Sequence, residues 1–482
     1  MIEKNAIIQI IFAAAYLLAC LNLGVFILRK IQQKNCKFTP SALTFTSLAF
    51  VFGAGIISSL WLLLALSGLF KNRIILPVLA VCIVIGAKYI KQLVYEITTQ
   101  LKHIWWEARS YSWSWQVIIA LNLTLLILGM FSMVNWGGDA VAFYLAVPKV
   151  VAHTGRLSLL RSFEGFMSVG LQAEMHSAYF MKTGEPVFLK LFSGISSAAM
   201  VSILMGISGE AGLKRKGKWL VLAAYITSSA IYMSVGDGKP DIIAASLGVA
   251  AYYLAFTNGP VILIGILCGL AGTMKMSYLG TMFPGIAYLI IWNQVKISGA
   301  CINKQQISKL FKEILIKGLK IGAWCLLAAL PHIIKNGLLL NAPFAPLGMS
   351  GIGWMDQNWF GPETTRRLLL LYPFALTWGD FWAQGGNLSP LLIAFFPLNI
   401  FLPKKNKMFE SPLFTITFAG LIGMCLWFLR YASVFAPRYY LATLLMFFPI
   451  WISGVEHVIA FEEKPKLLKF LSLFCVLATL IS

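Results

Sequence analysis

NWGGDAVAFYLAVPKVVAHTGRLSLLRSFEGFMSVGLQAE occupies residues 135–174 and directly follows an apolar run at 116–136. The stretch is amphipathic and acid-bearing, in a chain of 482 residues that is 59% hydrophobic and only 12% charged. Soluble globular chains carry roughly 25% charged residues. Apolar runs of about 20 residues, enough to cross ~30 Å of hydrocarbon at ~1.5 Å per residue, recur on both sides of it. The expected fold is an all-α polytopic membrane protein, a single bundle of about 12–14 transmembrane helices. In such a protein, a charged segment at the bilayer edge is tolerated only where the charges are paired, wet or used. Chemistry is therefore expected in 135–174, with the remaining helices as its scaffold.

The candidate spans are 7–28, 43–70, 74–90, 116–136, 186–208, 219–235 and 241–257, then 260–274, 277–295, 319–340, 387–402, 411–430, 438–459 and 466–482. The formal net charge of +21 does not point to nucleic acid, because the bases cluster in short loops between apolar runs. Arg29, Lys30, Lys34 and Lys37 follow the first span, Lys214, Arg215, Lys216 and Lys218 the fifth, and Lys404, Lys405 and Lys407 the eleventh. Every such cluster follows an odd-numbered span, which is the positive-inside pattern with the amino terminus outside. On that assignment all five aspartates, Asp139, Asp237, Asp241, Asp356 and Asp380, fall on the outer side. The eight cysteines fall in spans or cytoplasmic loops, so no disulfide is expected.

Residues 88–115 mix bases with Trp105, Trp106, Trp113 and Trp115 and read as an interfacial helix lying on anionic lipid. The outer stretches 137–185 and 341–386 are too long for tight turns and too apolar for disordered linkers. Short interfacial helices are expected at 139–153 and 166–181.

Asp139 follows Gly137 and Gly138 at a helix start. It can cap that helix, and it can also serve as a carboxylate that takes a proton from an acceptor hydroxyl. Glu174, with His176 and Tyr179 nearby in an apolar helix, reads equally as a site acid or a locally paired one; Glu164 reads as a solvated loop acid. Asp237, Lys239 and Asp241 lie within five residues and can neutralise one another in a tight turn. Lys275 stands alone between two apolar runs, and either snorkels to headgroups or meets a lipid-linked phosphate. The same argument covers Lys335, Arg366, Arg367 and Arg438. Outer-side bases run against the positive-inside trend and hint at an anionic ligand. No zinc-type spacing, phosphate-binding loop, dinucleotide fingerprint or nucleophile elbow is present. A group transferred on the outer face has to arrive already activated on a lipid.

GDAVAFYLAVPKVVAHTGRL resembles the first outer loop of bacterial membrane glycosyltransferases of the GT-C class, the protein mannosyltransferase-like and aminoarabinose transferase-like enzymes. In order after it come QAEMHSAYF, GTMKMSYLG, PHIIKNGLLLNAPFAPLG and FAPRYYLATLL, each similar to a later stretch of that family, so the resemblance covers about residues 116–450. It implies a GT-C type bundle acting on a polyprenyl-phosphate sugar donor, with a lipid, glycan or protein acceptor, at the outer face of the bacterial cytoplasmic membrane. It makes Asp139 the catalytic base or the acid that organises it, and Glu174 a second acid. Lys275, Arg438, Lys335, Arg366 and Arg367 become donor-phosphate contacts. Tyr144, Lys149, Asp237, Lys239, Asp241 and Asn336 become substrate-binding residues. It divides the chain into 1–115, additional spans with the interfacial helix; 116–460, the catalytic region; and 461–482, the last helix. The chain departs from the family in having one acid at Asp139 where many relatives have two, which leaves a divalent metal an open expectation. Tyr144 is followed by Leu145 and not by the usual His, and the final span reaches Ser482 without a polar tail, so a family-style outer domain is not expected in this chain. A transporter or lipid flippase and a non-catalytic membrane scaffold are the rival readings.

Overall fold

The computed structural model describes residues 2–34, 38–131, 140–184, 187–298, 304–346, 372, 376–377, 387–402, 411–431, 436–460 and 466–481, without the side chains of 2–6, 140, 304–306 and 430–431. Among these, every regular element is helical. Four long helices come first: α1 (Ile2–Lys34), α2 (Ala42–Leu66), α3 (Asn72–Arg109) and α4 (Trp113–Phe131). A π-turn (Ala140–Tyr144) leads to three short helices, α5 (Ala146–Thr154), α6 (Glu164–Val169) and α7 (Met175–Thr183). The bundle resumes with α8 (Val187–Glu210), α9 (Arg215–Ile226), α10 (Ser229–Gly236), α11 (Asp241–Phe256), α12 (Val261–Met274), α13 (Ser277–Ser298) and α14 (Lys304–Leu340). Helices Pro412–Tyr431, Phe448–Ala460 and Lys466–Ile481 follow.

Eight of the described helices are long and apolar enough to cross a membrane, nine if α9 and α10, bent by 59° at their junction, form one span. The protein is thus a multi-pass helical bundle. Several expected spans are shorter than a full crossing: α11 has 16 residues and α12 has 14. The expected break near residue 90 does not occur. Lys88 and Lys91 interrupt the apolar window, but neither ends a helix, and α3 continues for 38 residues to Arg109. Asn22 donates to the Ile83 carbonyl at 2.7 Å and Arg29 pairs with Glu96, fixing α3 along α1. Trp105 and Trp106 are exposed as an aromatic belt requires, whereas Trp115 is buried.

α11 lies at the centre and packs on α2, α8, α12 and α13. Its sequence, DIIAASLGVAAYYLAF, has Ala, Ser or Gly at seven of its 16 positions, which lets neighbouring backbones approach closely where lipid supplies no hydrophobic drive between helices. Glycines make the other close crossings. Gly24 and Gly53 face the backbones of Ala49 and Cys20 between α1 and α2, and Gly423 faces Thr281 between Pro412–Tyr431 and α13. α2 is in the same core as α8, α11 and α14, so the first helices pack as part of the bundle.

The two ends of the bundle differ. At one end Arg215 pairs with Glu107, and Glu456 accepts the backbone amides of Lys214 (3.1 Å) and Gly217 (2.7 Å). At the other, Leu157 N–H donates to Ala65 O (2.8 Å) and Phe70 N–H to Gly155 O (3.2 Å), tying α5 to the α2–α3 turn. The second expected short helix is interrupted: α6 ends at Gly170, and α7 begins only after Glu174.

Candidate functional site

Asp241 is the first residue of α11, where the positive end of the helix dipole favours a carboxylate. Lys275 caps α12 in an extended conformation (φ −146°, ψ 102°) that turns the chain toward α13. A cation suits a helix C-terminus for the converse reason. The Lys275 ammonium is bonded to Asp241 Oδ1, while Asp241 Oδ2 is buried without a partner among the described residues.

A 3₁₀ turn, Pro437–Tyr439, brings two more groups to this pair. Lys275 Nζ lies 4.9 Å from the centroid of the Tyr439 ring, and the Arg438 guanidinium lies 5.1 Å from it. Arg438 Nη2 also donates to the Tyr439 hydroxyl at 3.3 Å. Ser277 Oγ donates to the Tyr439 carbonyl at 2.5 Å, locking the turn to the start of α13. Burial works against the Arg438 charge, but the Asp241 carboxylate outweighs it and holds the guanidinium more firmly protonated.

Asp237 and Lys239 form an ion pair at 3.2 Å in the loop between α10 and α11. Burial raises the Asp237 carboxyl above its ordinary range, the neighbouring Asp241 adds to this, and Lys239 opposes it. Tyr144, at the end of the π-turn, feels Asp241, Arg438 and Glu174; burial and the nearby carboxylates push its phenol well above the usual value.

Glu174 and Lys335 form a second focus. Lys335 is fully buried near the end of α14, and its ammonium donates to the carbonyls of Met167 and, at 2.8 Å, Gly170. The Glu174 carboxylate packs over Gly170, where a Cβ would come within 3.2 Å of Oε1. Burial pushes the Glu174 carboxyl up to about 7, with its own backbone amide, Lys335 and Leu171 opposing the rise. Its Oε2 has no partner among the described residues.

The structure therefore brings together Tyr144, Glu174, Asp237, Lys239, Asp241, Lys275, Lys335 and Arg438 at one end of the bundle. Asp139, Arg366 and Arg367 lie outside the described residues. Lys149 is exposed on α5. Asn336 acts on the backbone, donating to Ser168 O (3.1 Å) and Ala345 O (2.7 Å), and so staples α14 to the segment before Gly170. Glu164 opens α6. Two tyrosines were missed by the sequence reading: Tyr439, beside Arg438, and the buried Tyr278, which lies in the field of Asp241. Their adjacency to Arg438 and Lys275 in FAPRYY and GTMKMSYLG was the available signal. His176 is structural: it bonds to Tyr16, packs on Phe192 at 4.4 Å, and is driven by burial down to about 3 and hence neutral.

Chemically, the cluster presents cations and phenols against buried carboxylates, which suits an anionic ligand able to compete for Lys275 and Arg438. No three His, Cys, Asp or Glu side chains converge as a metal site among the described residues. The carboxylates of Asp237 and Asp241 each hold a lysine instead. The six described cysteines are free thiols. Comparison with family models, with curated proteins and with solved structures finds no match to this chain.

Proposed function

We propose that the protein is a membrane glycosyltransferase that moves a sugar from a polyprenyl-phosphate donor to a lipid, glycan or protein acceptor at the outer face of the bacterial cytoplasmic membrane. The observation that carries this reading is the meeting of Lys275, Arg438 and Tyr439 at Asp241, from segments more than 160 residues apart in sequence, at the end of the bundle opposite the basic loops. In this reading Asp139 deprotonates the acceptor hydroxyl, which attacks the anomeric carbon as the bond to the donor phosphate breaks. Lys275 and Arg438 stabilise the departing phosphate, Arg366 and Arg367 add to the positive field, and Tyr144, Lys149, Asp237, Lys239 and Asn336 shape the pocket. Glu174, kept partly protonated by burial, is the second acid of the site, with Lys335 holding its loop.

The test is transfer from a polyprenyl-phosphate sugar in membranes carrying Asp139→Asn. Loss of a general base costs roughly 10²–10⁴-fold; unchanged turnover in a folded variant removes the assignment. The rival transport reading has one observation in its favour, a cavity of about 1180 Å³ among the helices at the basic end. None of Tyr144, Glu174, Asp241, Lys275 or Arg438 lines it, so it offers no route through the cluster.

A further inference from the structure

That cavity of about 1180 Å³ lies between α2, α3, α4, α8 and α9. Its α8 wall is Ile195, Ala198, Ser202 and Met205, spaced three and four residues apart and so on one helical face. On α4 the wall runs from Gln116 through Ala120 and Leu123 to Leu126, with the same periodicity. Ten helical residues separate the two ends of each wall, a rise of about 15 Å. Half of a ~30 Å hydrocarbon core is ~15 Å, so the cavity is one leaflet deep.

Its lining changes character along that depth. The far end is aliphatic, at Leu126 and Ile195; the near end carries Gln100, Gln116, Arg109, Arg215 and Lys218, and among the described residues no Asp or Glu lines the cavity. Arg109 stacks over Trp105 at 4.8 Å, and Arg215 is held by Glu107 with His103 Nδ1 at 3.2 Å. The other acids around the mouth are Glu210 and Glu456, both in the field of Lys218, and Glu456 is occupied by backbone amides. The volume exceeds the ~300–1,000 Å³ of ordinary small-molecule sites. An apolar shaft one leaflet deep under a cationic mouth fits a molecule with acyl chains and an anionic head.

We propose that this cavity holds one anionic phospholipid of the adjoining leaflet, its chains between α4 and α8 and its phosphate at Arg109, Arg215 and Lys218. The site is independent of the proposed transferase chemistry, which lies at the other end of the bundle.

The experiment is native mass spectrometry of the detergent-purified full chain after addition of dioleoyl phosphatidylglycerol or dioleoyl phosphatidylcholine. One phosphatidylglycerol is retained, at least about tenfold in preference to phosphatidylcholine, since each Lys or Arg contributes about fivefold. The double variant Arg109→Gln, Lys218→Gln brings the two lipids to near equal retention. Ala198→Phe with Ser202→Phe fills the shaft and abolishes retention of both, with thermal unfolding checking that the bundle persists. Equal retention of the two lipids by the parent protein overturns the headgroup assignment. Parent-level retention by the filled variant places the lipid elsewhere, and displacement by millimolar inorganic phosphate refutes the acyl-chain contact. Should the filled variant fail to fold, the parent's lipid preference and its loss in the charge variant still decide.

Discussion

Lys275, at the cap of α12, is bonded to one oxygen of Asp241, at the first residue of α11, and the other oxygen of that carboxylate is buried with no partner among the described residues. The bond joins the ends of two central helices, and both Lys275 and Arg438 lie about 5 Å from the Tyr439 ring centroid. Removing Lys275 leaves the buried Asp241 carboxylate to the more distant Arg438 guanidinium, at a cost of up to about 3–5 kcal/mol; removing both charges is far milder. Lys275→Met is therefore expected to lower the thermal midpoint in detergent sharply, and Asp241→Asn added to it to restore most of the loss. A single variant as stable as the parent would show that solvent already screens the pair.

Glu174 makes stability depend on pH with a definite sign. Its folded value, about 7 because of burial, lies above the ordinary carboxylate value of 4.5. Its contribution is fully present below about pH 4.5 and is lost as pH rises to about 7. At roughly 1.4 kcal/mol per unit, the change is about 2–4 kcal/mol. His176 acts oppositely: its folded value is lowered to about 3, so its contribution is present above about pH 6.5 and lost as pH falls. Asp237, also raised by burial, titrates in both proteins being compared. The measurement is therefore the difference between the parent and Glu174→Gln in denaturant unfolding from pH 4.5 to 7.5. The parent is expected to lose stability relative to the variant across this range, and a constant difference would contradict the raised value.

Much of this end of the bundle was legible because charge is conspicuous in an apolar chain. Asp237 and Asp241 stood out with Lys239 in one short loop, and Lys275 and Arg438 as outer-side bases; the fold gathers them, but pairs Asp241 with Lys275 and leaves Lys239 to Asp237. The use made of Lys335 was not legible, since nothing in PHIIKNG says that its ammonium will meet the carbonyls of Met167 and Gly170. The bend after Ile226 was also hidden. Thr227 and Ser228 turn the chain through hydroxyl bonds to Ala223 and Ala224, without a proline or glycine to announce it. The length of α3 was misjudged because hydropathy falls at Lys88, although helix propensity there does not.

Glycine positions separate crossings from bare surface. A Cβ on Gly53 would collide with the Cys20 carbonyl of α1, and one on Gly24 with that of Ala49 in α2. On α14, a Cβ on Gly318 or Gly322 meets nothing within 4 Å. Gly53→Ala is expected to destabilise by about 1–3 kcal/mol through forced separation of the helices. Gly318→Ala is expected to be neutral or to stabilise by about 0.5–1 kcal/mol, because alanine loses less backbone freedom in a helix. Thermal unfolding of the two variants side by side checks this; equal effects would mean the α1–α2 crossing yields without cost.

Arg438 offers the sharpest separation of charge from geometry at the proposed donor site. Its guanidinium lies over Tyr439 and donates to that hydroxyl while sharing the field of Asp241 with Lys275. A lysine keeps the charge but cannot both donate to the Tyr439 hydroxyl and present a two-pronged donor to a phosphate. Under the transferase reading, Arg438→Lys raises KM for the polyprenyl-phosphate sugar roughly tenfold or more, the loss of one charge-assisted hydrogen bond of about 1.5–3 kcal/mol. Because Asp241 retains Lys275, the variant stays folded, and its thermal midpoint moves by only a few degrees. A donor KM equal to the parent's, in a variant of equal stability, would remove Arg438 from phosphate binding and leave Lys275 as the only described cation on Tyr439 to test next.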